Sequence, residues 1–173
     1  MKGKPLKNLH LRQLTESDAS FMLSLLNSPG WLEHIGDRGV KTLEAAKAYI
    51  LNGPAKSFAE NGFGTYLVEL ISGGEAIGIC GLIKRPGLDD VDIGFAFLPE
   101  YEGKGYAFEA AQAVLAEAVS DLGLKRVVAI TTVANSRSIR LLEKLGFRYE
   151  KNIRIPGDPE ELKRYGLELQ PTQ

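Results

Sequence analysis

The stretch from Val91 to Val133 constrains this chain most. Val91 to Leu98 reads as a strand, and a turn with Gly103 and Gly105 leads into a helical stripe of Ala107, Ala111, Val114, Leu115, Ala118 and Leu122. Gly123 closes that helix, and the apolar, β-branched run from Arg126 to Val133 suits a central buried strand. Strand, helix and strand in this order make a right-handed βαβ crossover, with the glycine turn at the C-terminal end of its first strand. Ligands bind at such ends. Neither glycine has a Cβ to keep an anion away, and the first N–H groups of the helix lack intrahelical partners at the positive end of its dipole. The turn therefore suits a phosphate group.

The remaining elements build on this unit. His10 to Leu14 reads as a short strand, and Thr15 to Asp18 offers caps for a helix reaching Leu26, stopped by Asn27-Ser28-Pro29-Gly30. Thr42 caps a second helix through Ala45, Ala46, Tyr49 and Ile50, which Asn52-Gly53-Pro54 ends. Thr65 to Ile71 and Ala76 to Lys84 are β-rich runs joined by a Ser72-Gly73-Gly74 hairpin, and Pro86 to Asp90 turns into the central strand. A short helix from Ser136 to Leu145 ends at Gly146, and Phe147 to Ile153 with Arg164 to Leu169 form a closing hairpin. The expectation is one domain over residues 1–173, an α+β fold with a mixed sheet flanked by helices.

Composition excludes several function classes. A net charge of −1 lacks the cationic excess of a dispersed nucleic-acid footprint. A single cysteine, Cys80, rules out an intrachain disulfide framework, and two histidines with it are too few for an ordinary zinc site, so no metal is expected. Cys80 reads as a buried small hydrophobe. Met1 to His10 is basic without the apolar stretch of a signal peptide, and no run is long enough to span a membrane. A cytoplasmic protein is expected, as a monomer or a homodimer.

Three phosphate-binding glycine turns compete. A nucleotide P-loop needs Ser or Thr after Gly-Lys, but Gly105 follows Gly103-Lys104; the dinucleotide pattern needs a third glycine where Phe108 stands. The third is the acyl-CoA turn, Q/R-x-x-G-x-G/A. Glu102-Gly103-Lys104-Gly105-Tyr106-Ala107 matches its R-G-K-G-Y-A form except at the first position. Asp92 to Phe95 and Leu98-Pro99-Glu100 also fit the strand and lead-in before that turn. Asn135 and Ser138, followed by Leu142 to Phe147, fit a second cofactor motif. Over roughly residues 9 to 169 the chain resembles the GNAT superfamily of N-acetyltransferases, in particular its branch of ribosomal-protein N-terminal acetyltransferases.

The resemblance implies a three-layer α/β/α sandwich around a mixed, mostly antiparallel sheet of about six to seven strands. It implies an acyltransferase that moves the acetyl group of acetyl-CoA directly to a primary amine, either a protein N-terminus or a small molecule. A non-catalytic CoA-binding sensor or scaffold is the alternative. The main-chain N–H groups of Gly103, Lys104, Gly105, Tyr106 and Ala107 would take the diphosphate. The edge of Phe95, Phe97 and Leu98 would pair with the pantetheine arm, with Asn135 bonded to that arm; Arg140 would reach cofactor phosphates, as would Arg137 and Lys144. Two positions depart from the pattern. Glu102 replaces Arg or Gln and is expected to face solvent; Leu142 replaces a tyrosine that protonates the leaving thiolate.

Acetyl transfer needs a neutral amine and a stabilised thiolate. An α-amine titrating near ~8 needs less help than a lysine near ~10.4. Asp92 is the candidate base, with Glu69 and Glu33 as weaker alternatives, and a solvated strand carboxylate as its bland role. Ser138 is the candidate donor to the thiolate, or else a small residue packed inside its helix. Trp31, His34, Asp37 and Arg38 fall where relatives form the acceptor wall; the alternative for Asp37 and Arg38 is a local ion pair.

Overall fold

The computed structural model describes residues 6–170; Met1 to Pro5, half of the basic N-terminal stretch, lie outside the described residues. Strand β1 is Leu9–Gln13, followed by helices α1 (Ala19–Leu26), α2 (Pro29–His34), α3 (Leu43–Ile50) and α4 (Lys56–Asn61). Strands β2 (Thr65–Leu70), β3 (Ala76–Ile83) and β4 (Asp92–Phe97) lead to helix α5 (Tyr106–Ser120). Then come β5 (Arg126–Thr132), α6 (Ser136–Lys144), β6 (Arg148–Ile153) and β7 (Leu162–Glu168). The seven strands lie in the order β1-β2-β3-β4-β5-β7-β6. Among the described residues only the β4–β5 pair is parallel, and α5 makes their crossover. The expected mixed, mostly antiparallel sheet is present.

Each face of the sheet buries its own cluster. On one side Ala110, Ala111, Val114 and Ala118 of α5 and Leu142 of α6 pack on Val68, Cys80, Ile93 and Val127. On the other, Met22, Leu25 and Leu26 of α1 and Ala46 and Ile50 of α3 pack on Leu67 and Ile79. Alternation along β2, with Leu67 facing one layer and Tyr66 and Val68 the other, produces this division. Cys80 is fully buried, and burial pushes its thiol well above the usual range. Among the described residues, no helix is long and apolar enough to cross a membrane.

One expected helix end holds and one is corrected. Helix α1 ends at Leu26 with Asn27 as its C-cap, and Pro29 then starts a further helix, α2, after Ser28, because proline suits the first helical turn. Asn52-Gly53-Pro54 does not stop α3. The chain widens into a π-turn over Leu51–Ala55 and continues as α4. The wider turn accommodates a proline ring that a regular α-helical turn would drive into the preceding carbonyl.

A fork ties β1 to the start of α1. Arg12 donates from Nη1 and Nη2 to the two oxygens of Asp18 at 2.9 and 2.8 Å, and the Thr15 N–H donates to the same carboxylate at 2.8 Å. Burial works against the Asp18 charge, but these donors outweigh it and hold the carboxyl below its ordinary value. A lowered carboxyl stabilises the fold above its unfolded titration and loses that contribution as pH falls through the folded value. Asp18→Asn is expected to cost about 1–3 kcal/mol at pH 7. Denaturant melts at falling pH should show the gap to wild type closing through the carboxylate range.

Candidate active site

The parallel pair β4–β5 registers at one position, Asp92 opposite Val128, with the Val128 N–H donating to Val91 O at 3.0 Å. No further register joins these strands among the described residues, so they splay into a wedge. On its other side β4 is fully paired with β3 from Asp92 to Phe97. The Leu98 N–H donates to Ile77 O at 2.9 Å, toward β3, so alternation turns the backbone groups of Phe95 and Phe97 to the open side. Leu98 therefore does not belong to the open edge, as the sequence suggested; its side chain packs with the α1–α3 cluster.

At the wide end of the wedge lies the glycine turn. Gly103 has φ +74° and Gly105, the N-cap of α5, has φ +84°, a region that side chains with a Cβ rarely enter. The first bond into α5 is from Glu109 N–H to Gly105 O, at 3.1 Å. The N–H groups of Gly105, Tyr106, Ala107 and Phe108 have no acceptor among the described residues. A Cβ built on either glycine would meet nothing within 4 Å. The donors thus face open space, a cradle that fits a diphosphate.

Around the wedge opens a cleft of about 2170 Å³. The residues singled out in the sequence that line it include Trp31, His34, Asp37, Arg38, Asp92, Phe95, Phe97, Glu102, Gly103, Gly105, Tyr106, Ala107, Asn135, Arg137, Ser138, Arg140 and Lys144. Lys104 and Leu98 do not; the Lys104 ammonium lies over the Tyr101 ring, 5.8 Å from its centroid. Asn135 caps α6, its Oδ1 accepting from the Ser138 N–H at 3.2 Å, and its Nδ2 has no partner among the described residues. The half-buried Ser138 hydroxyl has none either. Leu142, one turn further along α6, is 1 % exposed inside the core and offers no proton.

Asp92 is not a solvated carboxylate. It is 1 % exposed, and Arg85 Nη2 donates to its Oδ2 at 3.3 Å. Burial raises the Asp92 carboxyl above the usual range, with Arg85 pulling the other way. Nothing in the sequence marks Arg85, because the Pro86–Asp90 turn separates it from its partner. Tyr49 of α3 also lines the cleft, its hydroxyl raised by burial and opposed by the charges of Arg38 and Arg85.

The acceptor wall differs in detail from expectation. Trp31 is 6 % exposed, a core residue of α2 with an edge on the cleft. Asp37 does not pair with Arg38. It accepts from the Gly39 N–H and meets Lys41 at 3.2 Å, leaving Arg38 exposed. His34 joins α2 to the end of β5 through Thr132 Oγ1, at 3.2 Å. Glu69 pairs with Arg12 and His10, and Glu33 with His34. Glu102 is not free in solvent either, since its carboxylate accepts from Arg137.

Comparison with known proteins agrees with this fold. Residues 8–148 match the family described as acetyltransferase (GNAT) domain. The chain is 31 % identical over 144 residues to an uncharacterized N-acetyltransferase, YnaD, of Bacillus subtilis (strain 168), covering 83 % of this chain and 81 % of that protein. The crystal structure of an acetyltransferase from Agrobacterium tumefaciens str. C58 superposes with a TM-score of 0.81 at 24 % identity, covering 98 % of this chain and 95 % of that one. RimL, a ribosomal L7/L12 alpha-N-protein acetyltransferase solved in complex with coenzyme A, gives 0.80 at 18 % identity, covering 95 % and 97 %. The two superpositions establish the fold.

Proposed function

From the premise that this chain belongs to the acetyltransferase (GNAT) family, we propose that it transfers the acetyl group of acetyl-CoA directly to a primary amine. The acceptor is a protein N-terminus or a small-molecule amine, and the setting is a cytoplasmic enzyme whose acetyltransferase domain spans residues 1–173. One observation carries this reading: a wedge between parallel strands ends in four bare amides above two glycines of positive φ. Acetyl-CoA, when bound, supplies the acetyl group as an activated thioester.

The chain's own residues divide the work. Gly105, Tyr106, Ala107 and Phe108 hold the diphosphate by main-chain donors at the positive end of α5. Phe95 and Phe97 present unpaired backbone groups to the pantetheine amides, and Asn135 Nδ2 donates from the opposite wall. Exposed Arg140, without an acceptor among the described residues, faces the cofactor phosphates.

Asp92 is the proton acceptor. Its burial excludes direct contact with a bulky amine, so the proton reaches it through ordered water, and Arg85 keeps the carboxylate oriented. The Ser138 hydroxyl donates to the thiolate as it leaves, a polarising role, because a serine is a poor acid. Trp31, Asp37 and Arg38 stand on the acceptor side.

Incubation with acetyl-CoA and a panel of primary amines tests the reaction through amine-dependent release of free thiol. Binding without release would favour the sensor alternative. Ser138→Ala is expected to lower kcat by roughly tenfold, with coenzyme A affinity unchanged within about twofold. Equal turnover in the variant would remove Ser138 from the chemistry.

A further inference from the structure

Glu102 stands where the family pattern has arginine or glutamine, and the structure gives its carboxylate a partner. Arg137 Nη1 donates to Glu102 Oε2 at 2.6 Å. Glu102 follows the end of β4, and Arg137 lies in the first turn of α6, just after β5. Because β4 and β5 meet at Asp92 and Val128 and then diverge, the ion pair joins the two walls at the open end of the wedge. The other carboxylate oxygen faces α2, where a Cβ on Gly30 would stand 3.9 Å from Oε1. Both residues line the cleft, and Glu102 is the one acceptor Arg137 has among the described residues. The Arg137 side chain is 62 % exposed and so has room to turn. A guanidinium fork recognises carboxylate and phosphate by the same geometry, so one anion can replace the other.

We propose that Glu102 is a placeholder anion, whose carboxylate parks Arg137 at the mouth of the wedge until the diphosphate of the cofactor takes the guanidinium over. This rests on the coenzyme A reading above. The bare amides of α5 are fixed donors, whereas Arg137 is a movable one. Once released, the Glu102 carboxylate lies beside the diphosphate and repels it, so the exchange limits affinity and speeds departure of the spent coenzyme. The device sets affinity and release and takes no part in bond making.

Calorimetric titration of coenzyme A, and of pantetheine as a probe without phosphates, into wild type, Glu102→Gln and Arg137→Ala at low salt tests this. Glu102→Gln is expected to tighten coenzyme A by roughly three- to tenfold and slow its dissociation, and Arg137→Ala to weaken it by a similar factor. Both contrasts shrink at high salt, and pantetheine binds all three proteins alike. If wild type binds coenzyme A but Glu102→Gln binds it equally or more weakly, Glu102 is no placeholder. If pantetheine affinity shifts in step with coenzyme A, the pair is a strut of the cleft and the proposal fails. A wild type that takes up no coenzyme A overturns the underlying reading as well.

Discussion

Gly105→Val yields a folded protein that no longer binds coenzyme A, the largest expected effect of any single change in the cleft. Gly105 holds φ +84° at the N-cap of α5, where a β-branched residue costs about 1–3 kcal/mol in backbone strain. That cost comes from the backbone alone, since a Cβ at this position meets no other atom within 4 Å. The greater damage is to the ligand. The valine side chain fills the space in front of the Tyr106, Ala107 and Phe108 amides, and any relief of the strain rotates those amides away from a common focus. Calorimetry should show affinity reduced by at least about a hundredfold, whereas circular dichroism shows a cooperative melt lowered by a few degrees. Gly105→Ala, with a smaller side chain and the same φ, should fall between the two.

Asp92→Asn is expected to lower kcat by roughly a hundred- to a thousandfold and leave coenzyme A affinity nearly intact. The amide keeps the shape of the side chain and removes its capacity to take a proton. In wild type the rate should fall as pH drops through the Asp92 titration, because the ionised form is the base in the proposed mechanism. Burial places that acid limb above the ordinary carboxylate range. In the variant this limb disappears, and the rate follows the acceptor amine's own titration, near ~8 for an α-amine. A variant with wild-type kcat and an unchanged acid limb would exclude Asp92 as the base. Stability moves in the opposite sense. A raised carboxyl favours the folded state when protonated, so Asp92 contributes less as pH rises from its unfolded value through its folded one.

What could be read along the chain was local. The strand, glycine turn and stripe from Val91 to Leu122 encode β4, the cradle and α5 within one contiguous stretch, because period and turn chemistry are short-range signals. The hairpin at Ser72-Gly73-Gly74 and the cap at Thr42 were legible for the same reason. Helix α4 was not. Asn52-Gly53-Pro54 has the composition of a stop, and tertiary contacts such as the packing of Phe58 against Tyr66, with ring centroids 5.0 Å apart, reward continuing through a π-turn.

Pairings across the fold were illegible as well. Glu102 and Arg137 share no pattern in sequence, and they meet because two diverging strands end side by side. The Arg85 partner of Asp92 sits beyond a loop whose path only the β3–β4 register fixes. Asp37 has cationic neighbours at both Arg38 and Lys41, and the folded loop, not adjacency, selects Lys41. Residue types announced the glycine turn, while the partners of Asp92 and Glu102 depend on tertiary placement.

The most direct test of the central claim is a titration of wild-type protein with coenzyme A followed by isothermal calorimetry. Bare amides above Gly103 and Gly105 predict one saturable site, with a Kd of about 1 μM to 1 mM, lost in Gly105→Val. Absence of heat at millimolar coenzyme A, or the same isotherm from the valine variant, would contradict it.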